Sequence, residues 1–130
     1  MTAHDAARPR VLVVDDEEPV REAVADFLLD EGFEVVTAAS GREALTLARA
    51  SAFALYILDL RMPGMSGNEL AVALRAISPA TPFLVITGSP DYVPGEPLRA
   101  LGVGADDTLI KPYDLLLLGE KVRRRIGAAT

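Results

Sequence analysis

The sequence predicts an α/β fold, a five-stranded parallel sheet with helices on both faces. Short apolar runs carry much of that expectation: Val11-Leu12-Val13-Val14, Leu55-Tyr56-Ile57-Leu58, Phe83-Leu84-Val85-Ile86 and Leu109-Ile110. Runs this short, with no polar residue inside them, read as strands buried on both faces. Helical patterns separate them, and strand–helix alternation specifies a parallel sheet covered on both sides. Finally, each run ends in a polar residue that core packing would not select: Asp15-Asp16, Asp59, Thr87 and Lys111. In an open parallel sheet, binding sites lie beyond the carboxyl ends of the strands.

Along the chain, residues 1–9 are small and polar and are expected to form a flexible tail. The first strand is Arg10 to Asp15. A helix from Pro19 to Glu31 has proline in its first turn and Gly32 at its stop. Its residues Val20, Ala23, Val24, Phe27 and Leu28 form one apolar stripe. The second strand is Phe33 to Ala38. Ser40-Gly41-Arg42-Glu43 has the form of a capping box opening a helix to Ala50. The third strand, Ala54 to Asp59, leads into a Pro63-Gly64 loop. A second capping box, Ser66-Gly67-Asn68-Glu69, opens a helix that must stop before Pro79. The fourth strand is Pro82 to Thr87 and the fifth Thr108 to Ile110. Between them three prolines and several glycines leave room for a short helix only, Glu96 to Leu101. A last helix runs from Asp114 to Ile126, and residues 128–130 form a C-terminal tail. That makes five helices.

Bulk properties exclude several classes. At 130 residues and 13.8 kDa the chain forms one domain with one core region. No apolar stretch is long enough to span a membrane, and Met1 to Arg10 does not resemble a secretory signal. The absence of cysteine removes disulfides and thiolate metal sites. A cytoplasmic setting is therefore expected. The net charge of −6 argues against direct nucleic-acid binding. Arg123-Arg124-Arg125, near the end of the last helix, is well placed to complement the helix dipole, with a docking patch as the alternative reading.

The strand-end residues carry the chemistry. Asp15 and Asp16 alone could complement the dipole of the following helix, and Asp59 alone could be a turn residue. Three carboxylates brought together, however, are costly unless a cation or protons compensate, and oxygen donors without histidine or cysteine suit Mg²⁺ or a similar ion. An ammonium from Lys111 and a hydroxyl from Thr87 at the same edge could bind phosphoryl oxygens. A carboxylate in that setting can act as a nucleophile toward phosphorus.

Four segments carry a resemblance to a known family. Val11-Leu12-Val13-Val14-Asp15-Asp16-Glu17, the stretch from Leu58-Asp59 through Met65-Ser66-Gly67, Val85-Ile86-Thr87-Gly88 and Ile110-Lys111-Pro112-Tyr113 resemble receiver domains of bacterial two-component response regulators. The likeness covers residues 10–127, and the stand-alone, chemotaxis-regulator type is the nearest in kind. It implies a doubly wound, flavodoxin-like sheet of strand order 2-1-3-4-5. It implies that Asp59 accepts a phosphoryl group from a histidine of a sensor kinase or histidine phosphotransfer protein. By the same resemblance Asp15, Asp16, Asp59 and the Arg61 backbone carbonyl would hold Mg²⁺. Thr87 and Lys111 would contact the phosphoryl group, and Lys111-Pro112 would be cis. Self-phosphorylation and autodephosphorylation would be its only catalysis.

The chain departs from the family at two places. Thr108 stands where the family commonly has an aromatic switch residue, leaving Tyr92 and Tyr113 as the neighbouring aromatics. The segment between the fourth and fifth strands is proline-rich, with an abbreviated helix on the usual output face. His4, the only histidine, lies in the tail, so the donor must be another protein. With no output domain after Thr130, signalling is expected through contact with a downstream protein. A homodimer through the fourth helix, fifth strand and fifth helix is the second candidate contact. Leu116 or Leu117 should lie off the buried stripe of Leu115, Leu118, Val122 and Ile126, with Leu117 nearly opposite it, because four successive residues span about 300° of a helix. Gly119, inside that helix, has no explanation in the sequence. The alternative reading is an interaction module on the same fold whose output is independent of phosphorylation. A flavin carrier is disfavoured because Asp15-Asp16-Glu17-Glu18 would repel a flavin phosphate. A metal-dependent phosphatase lacks an evident general acid.

Overall fold

The computed structural model of the chain describes residues 8–89, 92 and 94–127. Five strands, β1 (Arg10–Val14), β2 (Glu34–Ala38), β3 (Leu55–Asp59), β4 (Phe83–Thr87) and β5 (Thr108–Ile110), form one parallel sheet of order β2-β1-β3-β4-β5. Four α-helices connect or follow them: α1 (Glu18–Asp30), α2 (Gly41–Ala50), α3 (Gly67–Ile77) and α4 (Leu115–Ile126). The doubly wound arrangement predicted from the sequence is the one observed.

Strand alternation divides the core into two layers. On one face Leu12, Val14, Tyr56, Leu58, Phe83 and Val85 pack with α2 and α3. On the other, Val11, Val13, Leu55, Ile57, Leu84, Ile86 and Leu109 pack with α1 and α4. All five residues of β3 and of β4 are buried, which explains why these strands read as unbroken apolar runs.

Both serine caps form, with one difference. Ser66 and Glu69 make the reciprocal box, Ser66 Oγ accepting from the Glu69 amide (3.2 Å) and Glu69 Oε1 from the Ser66 amide (3.0 Å). At α2, Ser40 Oγ accepts from the Glu43 amide (3.1 Å), but Glu43 Oε1 accepts from Ala39 instead (2.6 Å). The helix start is still satisfied at both ends of the motif.

The apolar stripe of α1 differs in one residue. Ala25 is buried beside Val24 and Leu28, whereas Ala23 is exposed. Ala23 joins Pro19 and Val20 in lining an open groove against Pro112, Tyr113 and Leu115.

The fourth predicted helix does not form. In place of a helix from Glu96 to Leu101 there is one 3₁₀ turn, Arg99–Leu101, and a second, Ala105–Asp107. Pro94 and Pro97 remove amide donors that a longer helix would need. The segment is nonetheless anchored. Leu98 and Val103 are buried in the core, Arg75 Nη2 donates to the Leu101 carbonyl (2.6 Å), and the same guanidinium lies 5.3 Å from the Phe83 ring centre. Buried Asp107 accepts from the Gly104 amide (2.9 Å) and pairs with Arg125 of α4. Pro90, Asp91 and Val93 lie outside the described residues.

In α4, Leu118 and Val122 are buried while Leu116 is 70% and Leu117 44% exposed. Gly119 has a packing reason: a Cβ there would sit 2.9 Å from Phe27 Cε2 of α1. The two helices meet through this absent side chain. The three consecutive arginines are each paired within the domain, Arg123 with Glu31 (2.7 Å), Arg124 with Glu120 (2.8 Å) and Arg125 with Asp107.

Most of the expected N-terminal tail, and residues 128–130, lie outside the described residues. Its last two residues are tied down: Arg8 Nε donates to the Gly32 carbonyl (3.1 Å), and the Glu34 amide donates to the Pro9 carbonyl (2.9 Å). No described helix is long and apolar enough to cross a membrane.

Candidate functional site

The parallel register aligns the strand ends. Asp59 is paired with Ile86 and Thr87 with Ile110, so Asp59, Thr87 and Lys111 finish neighbouring strands at one edge. Asp15 directly follows β1, between β2 and β3 in the sheet. Four residues distant in sequence therefore reach one edge of the sheet because the strands are in register.

Lys111 is the centre of the ion-pair network. Its Nζ lies 3.1 Å from Asp59 Oδ2, 2.6 Å from Glu17 Oε1 and 3.6 Å from Asp15 Oδ2. Burial opposes its charge, but the hydrogen bonds to Glu17 and Asp59 and the charges of Asp15 and Asp59 outweigh that and hold it protonated, with its pKa raised. Asp59 is 3% exposed. Its other oxygen, Oδ1, accepts from the Arg61 amide (3.0 Å).

Asp15 is 1% exposed. Burial pushes its pKa up to about 6, opposed by the hydrogen bond from the Glu17 amide (2.9 Å) and reinforced by the charge of Asp59. Its Oδ2 has no hydrogen-bond partner. A buried, unpartnered carboxylate oxygen is costly unless a cation compensates it. Oxygens of Asp15, Glu17 and Asp59 all lie within 4.8 Å of one another. This all-oxygen set, with an orphaned lone pair aimed into it, fits a hard divalent cation such as Mg²⁺.

Each predicted residue can now be placed. Asp15, Asp59 and Lys111 come together, and Arg61 lines the same cleft with Glu17, Gly88 and Ser89. Asp16 does not join them: it is exposed, and its carboxylate stands outside the close trio. Glu17, not selected from the sequence, completes that trio. Spacing alone could not reveal which of three successive acids turns inward. Thr87 is buried, and its Oγ1 accepts from the Ser89 amide (3.2 Å). Lys111-Pro112 is cis, as expected.

Thr108 is partly buried, and its hydroxyl donates to the Gly104 carbonyl (3.1 Å). Of the two aromatics near it in sequence, Tyr92 packs with the α2–α3 core layer and Tyr113 with the α1–α4 layer. The Tyr113 hydroxyl is buried without a partner, and burial together with the Asp15 charge pushes its pKa up to about 12.

Comparison with known proteins agrees with this geometry. The response regulator receiver domain family matches residues 11–123. The DNA-binding response regulator MtrA of Mycobacterium tuberculosis is 37% identical over 122 residues, covering 94% of this chain and 52% of MtrA. The response regulator protein FleR of Pseudomonas aeruginosa is 38% identical over 117 residues, 88% of this chain and 24% of FleR. The chain thus spans about half the length of MtrA and a quarter of FleR. Among solved structures, Vibrio cholerae chemotaxis protein CheY4 superposes with a TM-score of 0.79 at 35% identity, covering 92% of this chain and 99% of that one. The receiver domain of the hybrid histidine kinase CckA gives 0.76 at 34%, covering 90% and 98%. The chain belongs to the response regulator receiver domain family, the receivers of two-component systems.

Proposed function

We propose that Asp59 is the phosphoacceptor of this receiver. The observation that carries the reading is the meeting of Lys111 with buried Asp59 at 3.1 Å beside the unpartnered Asp15 Oδ2. The donor is a phosphohistidine on a sensor histidine kinase or a histidine phosphotransfer protein. An Asp59 oxygen forms the bond to phosphorus as the phosphorus–nitrogen bond breaks, and the electron pair returns to the imidazole. Lys111 stabilises charge on the phosphoryl oxygens, and Thr87 offers its hydroxyl to another of them. Asp15, Glu17, Asp59 and the Arg61 carbonyl, with Asp16 beside them in sequence, would hold Mg²⁺, which supplies charge neutralisation for the transfer. Turnover is confined to self-phosphorylation and autodephosphorylation.

Phosphorylation shifts a balance between conformations that differ in partner binding. A downstream protein, or a second copy of the chain, would meet the side where Ile110, Leu116 and Leu117 are exposed. In this chain that side is β5 and α4, next to the 3₁₀ segment that replaces a helix. The net charge of −6 disfavours direct nucleic-acid contact by these residues, and a cytoplasmic location accompanies the reading. Incubation with a small phosphoryl donor and Mg²⁺, followed by intact-mass spectrometry, tests it: one phosphate on the wild type is expected, and none on Asp59→Ala.

A second reading is favoured by Thr108, whose hydroxyl is held by Gly104 where an aromatic switch is usual. In it, partner binding is independent of phosphorylation. Unchanged partner affinity and oligomeric state with beryllofluoride would support it, and a clear change in either would reject it.

A further inference from the structure

We infer that Arg21 is a positioning residue of the acidic site, holding Asp15 in the orientation that metal binding needs. The inference rests on the reading of that site as a Mg²⁺-dependent phosphoacceptor. Arg21 is anomalous by position: it lies in the first turn of α1, where the helix dipole disfavours a cation. Something must offset that placement. Its Nη1 donates to the main-chain carbonyl of Asp15 at 2.8 Å, reaching back six residues across the start of the helix. Its own amide donates to the Glu17 carbonyl (2.9 Å), closing the first turn, so backbone and side chain of Arg21 grip both sides of Asp16.

Asp15 is consequently held at three points. Its amide donates to the Ala38 carbonyl (3.2 Å), Oδ1 accepts from the Glu17 amide (2.9 Å), and its carbonyl accepts from Arg21. The Glu17 and Arg21 contacts are both charge-assisted, the first at the carboxylate and the second at the main chain, and such bonds are stronger than neutral ones. With the backbone on both sides of Cα fixed, Oδ2 is left pointing where it meets no donor, 3.6 Å from Lys111 Nζ. Metal ligands depend on such outer partners, whose loss typically costs 10–100-fold in affinity. α1 has no side-chain N-cap bond, so from the helix side the joint is tied by the Glu17 amide and the Arg21 guanidinium.

The sign of the effect separates positioning from simple electrostatics. Arg21 is a cation near a cation site. If charge were its only influence, removing it would tighten Mg²⁺ binding. If it positions Asp15, removing it weakens binding despite the lost repulsion. Mg²⁺ titration followed by NMR at the Asp15 and Arg61 amides, with thermal melts in parallel, reads both. Arg21→Met is expected to weaken Mg²⁺ about tenfold, and Arg21→Lys, which keeps charge and a donor, to recover most of that loss. Binding by Arg21→Met equal to or tighter than wild type would overturn the inference, as would an Arg21→Lys variant that melts like wild type yet binds no better than Met. Wild type that binds no Mg²⁺ would overturn the phosphoacceptor reading and this inference together. A wild type that binds alongside unaffected variants overturns this inference alone.

Discussion

The ammonium of Lys111 lies 3.1 Å from the carboxylate of Asp59, although 52 residues separate them in sequence. Parallel register creates this contact, and it answers an electrostatic need. Two carboxylates buried side by side are unfavourable unless a cation is shared between them. Lys111 is that cation among the described residues when no metal is bound.

Removing it therefore leaves uncompensated buried charge. Lys111→Met is expected to lose about 2 kcal/mol of stability at neutral pH, below the 3–5 kcal/mol of a fully buried pair because Lys111 retains some solvent contact. Urea denaturation measures this. Millimolar Mg²⁺ should restore part of the loss, since it binds the folded state and takes over the same neutralising role. An unchanged denaturation midpoint would show that solvent already screens the site.

Asp15 gives the pH dependence. Its pKa rises from 3.8 to about 6 on folding, chiefly through burial. A carboxyl group raised on folding binds its proton more tightly in the native state. Its contribution is fully present below pH 4 and is lost as pH rises through about 6. Asp15→Asn, which mimics the neutral form, should therefore stabilise the metal-free protein at pH 7 and matter little near pH 4, by thermal melts across that range. The same proton competes with a cation. Mg²⁺ affinity should fall by up to about tenfold per pH unit below 6, as followed by NMR titration.

Gly67 links the acidic site to α3. A Cβ there would lie 2.5 Å from Leu60 Cα and 2.8 Å from the Asp59 carbonyl, both backbone atoms that cannot rotate away. Gly67→Ala should cost about 3 kcal/mol and should slow phosphorylation of whatever fraction remains folded, because the strain falls on the Asp59 main chain. A thermal melt with a labelling time course checks both effects. A stable variant with wild-type labelling would contradict the close approach.

Much of this was legible in the sequence because it follows from periodicity and strand ends. Unbroken apolar runs located four of the five strands, and the polar residue closing each run located Asp15, Asp59, Thr87 and Lys111. The serine caps located two helix starts. What escaped depended on three-dimensional choices that spacing does not encode. Three consecutive acids, Asp15, Asp16 and Glu17, are equivalent in a pattern, yet the turn into α1 buries the first, exposes the second and brings the third to Lys111. Ala23 and Ala25 are both compatible with a helix face, and spacing alone does not say which of them is buried. Gly119 was opaque because its reason, Phe27, sits on another helix. The proline-rich crossover signalled a short helix, but prolines could not say that two 3₁₀ turns held by Arg75 and Asp107 would replace it.

The central claim is that Asp59 carries the phosphoryl group, and peptide mass mapping after incubation with a small phosphoryl donor and Mg²⁺ tests it most directly. The phosphate should reside on the peptide containing Asp59, require Mg²⁺, and be absent from Asp59→Ala. Equal labelling of that variant, or no labelling of the wild type, would contradict the account.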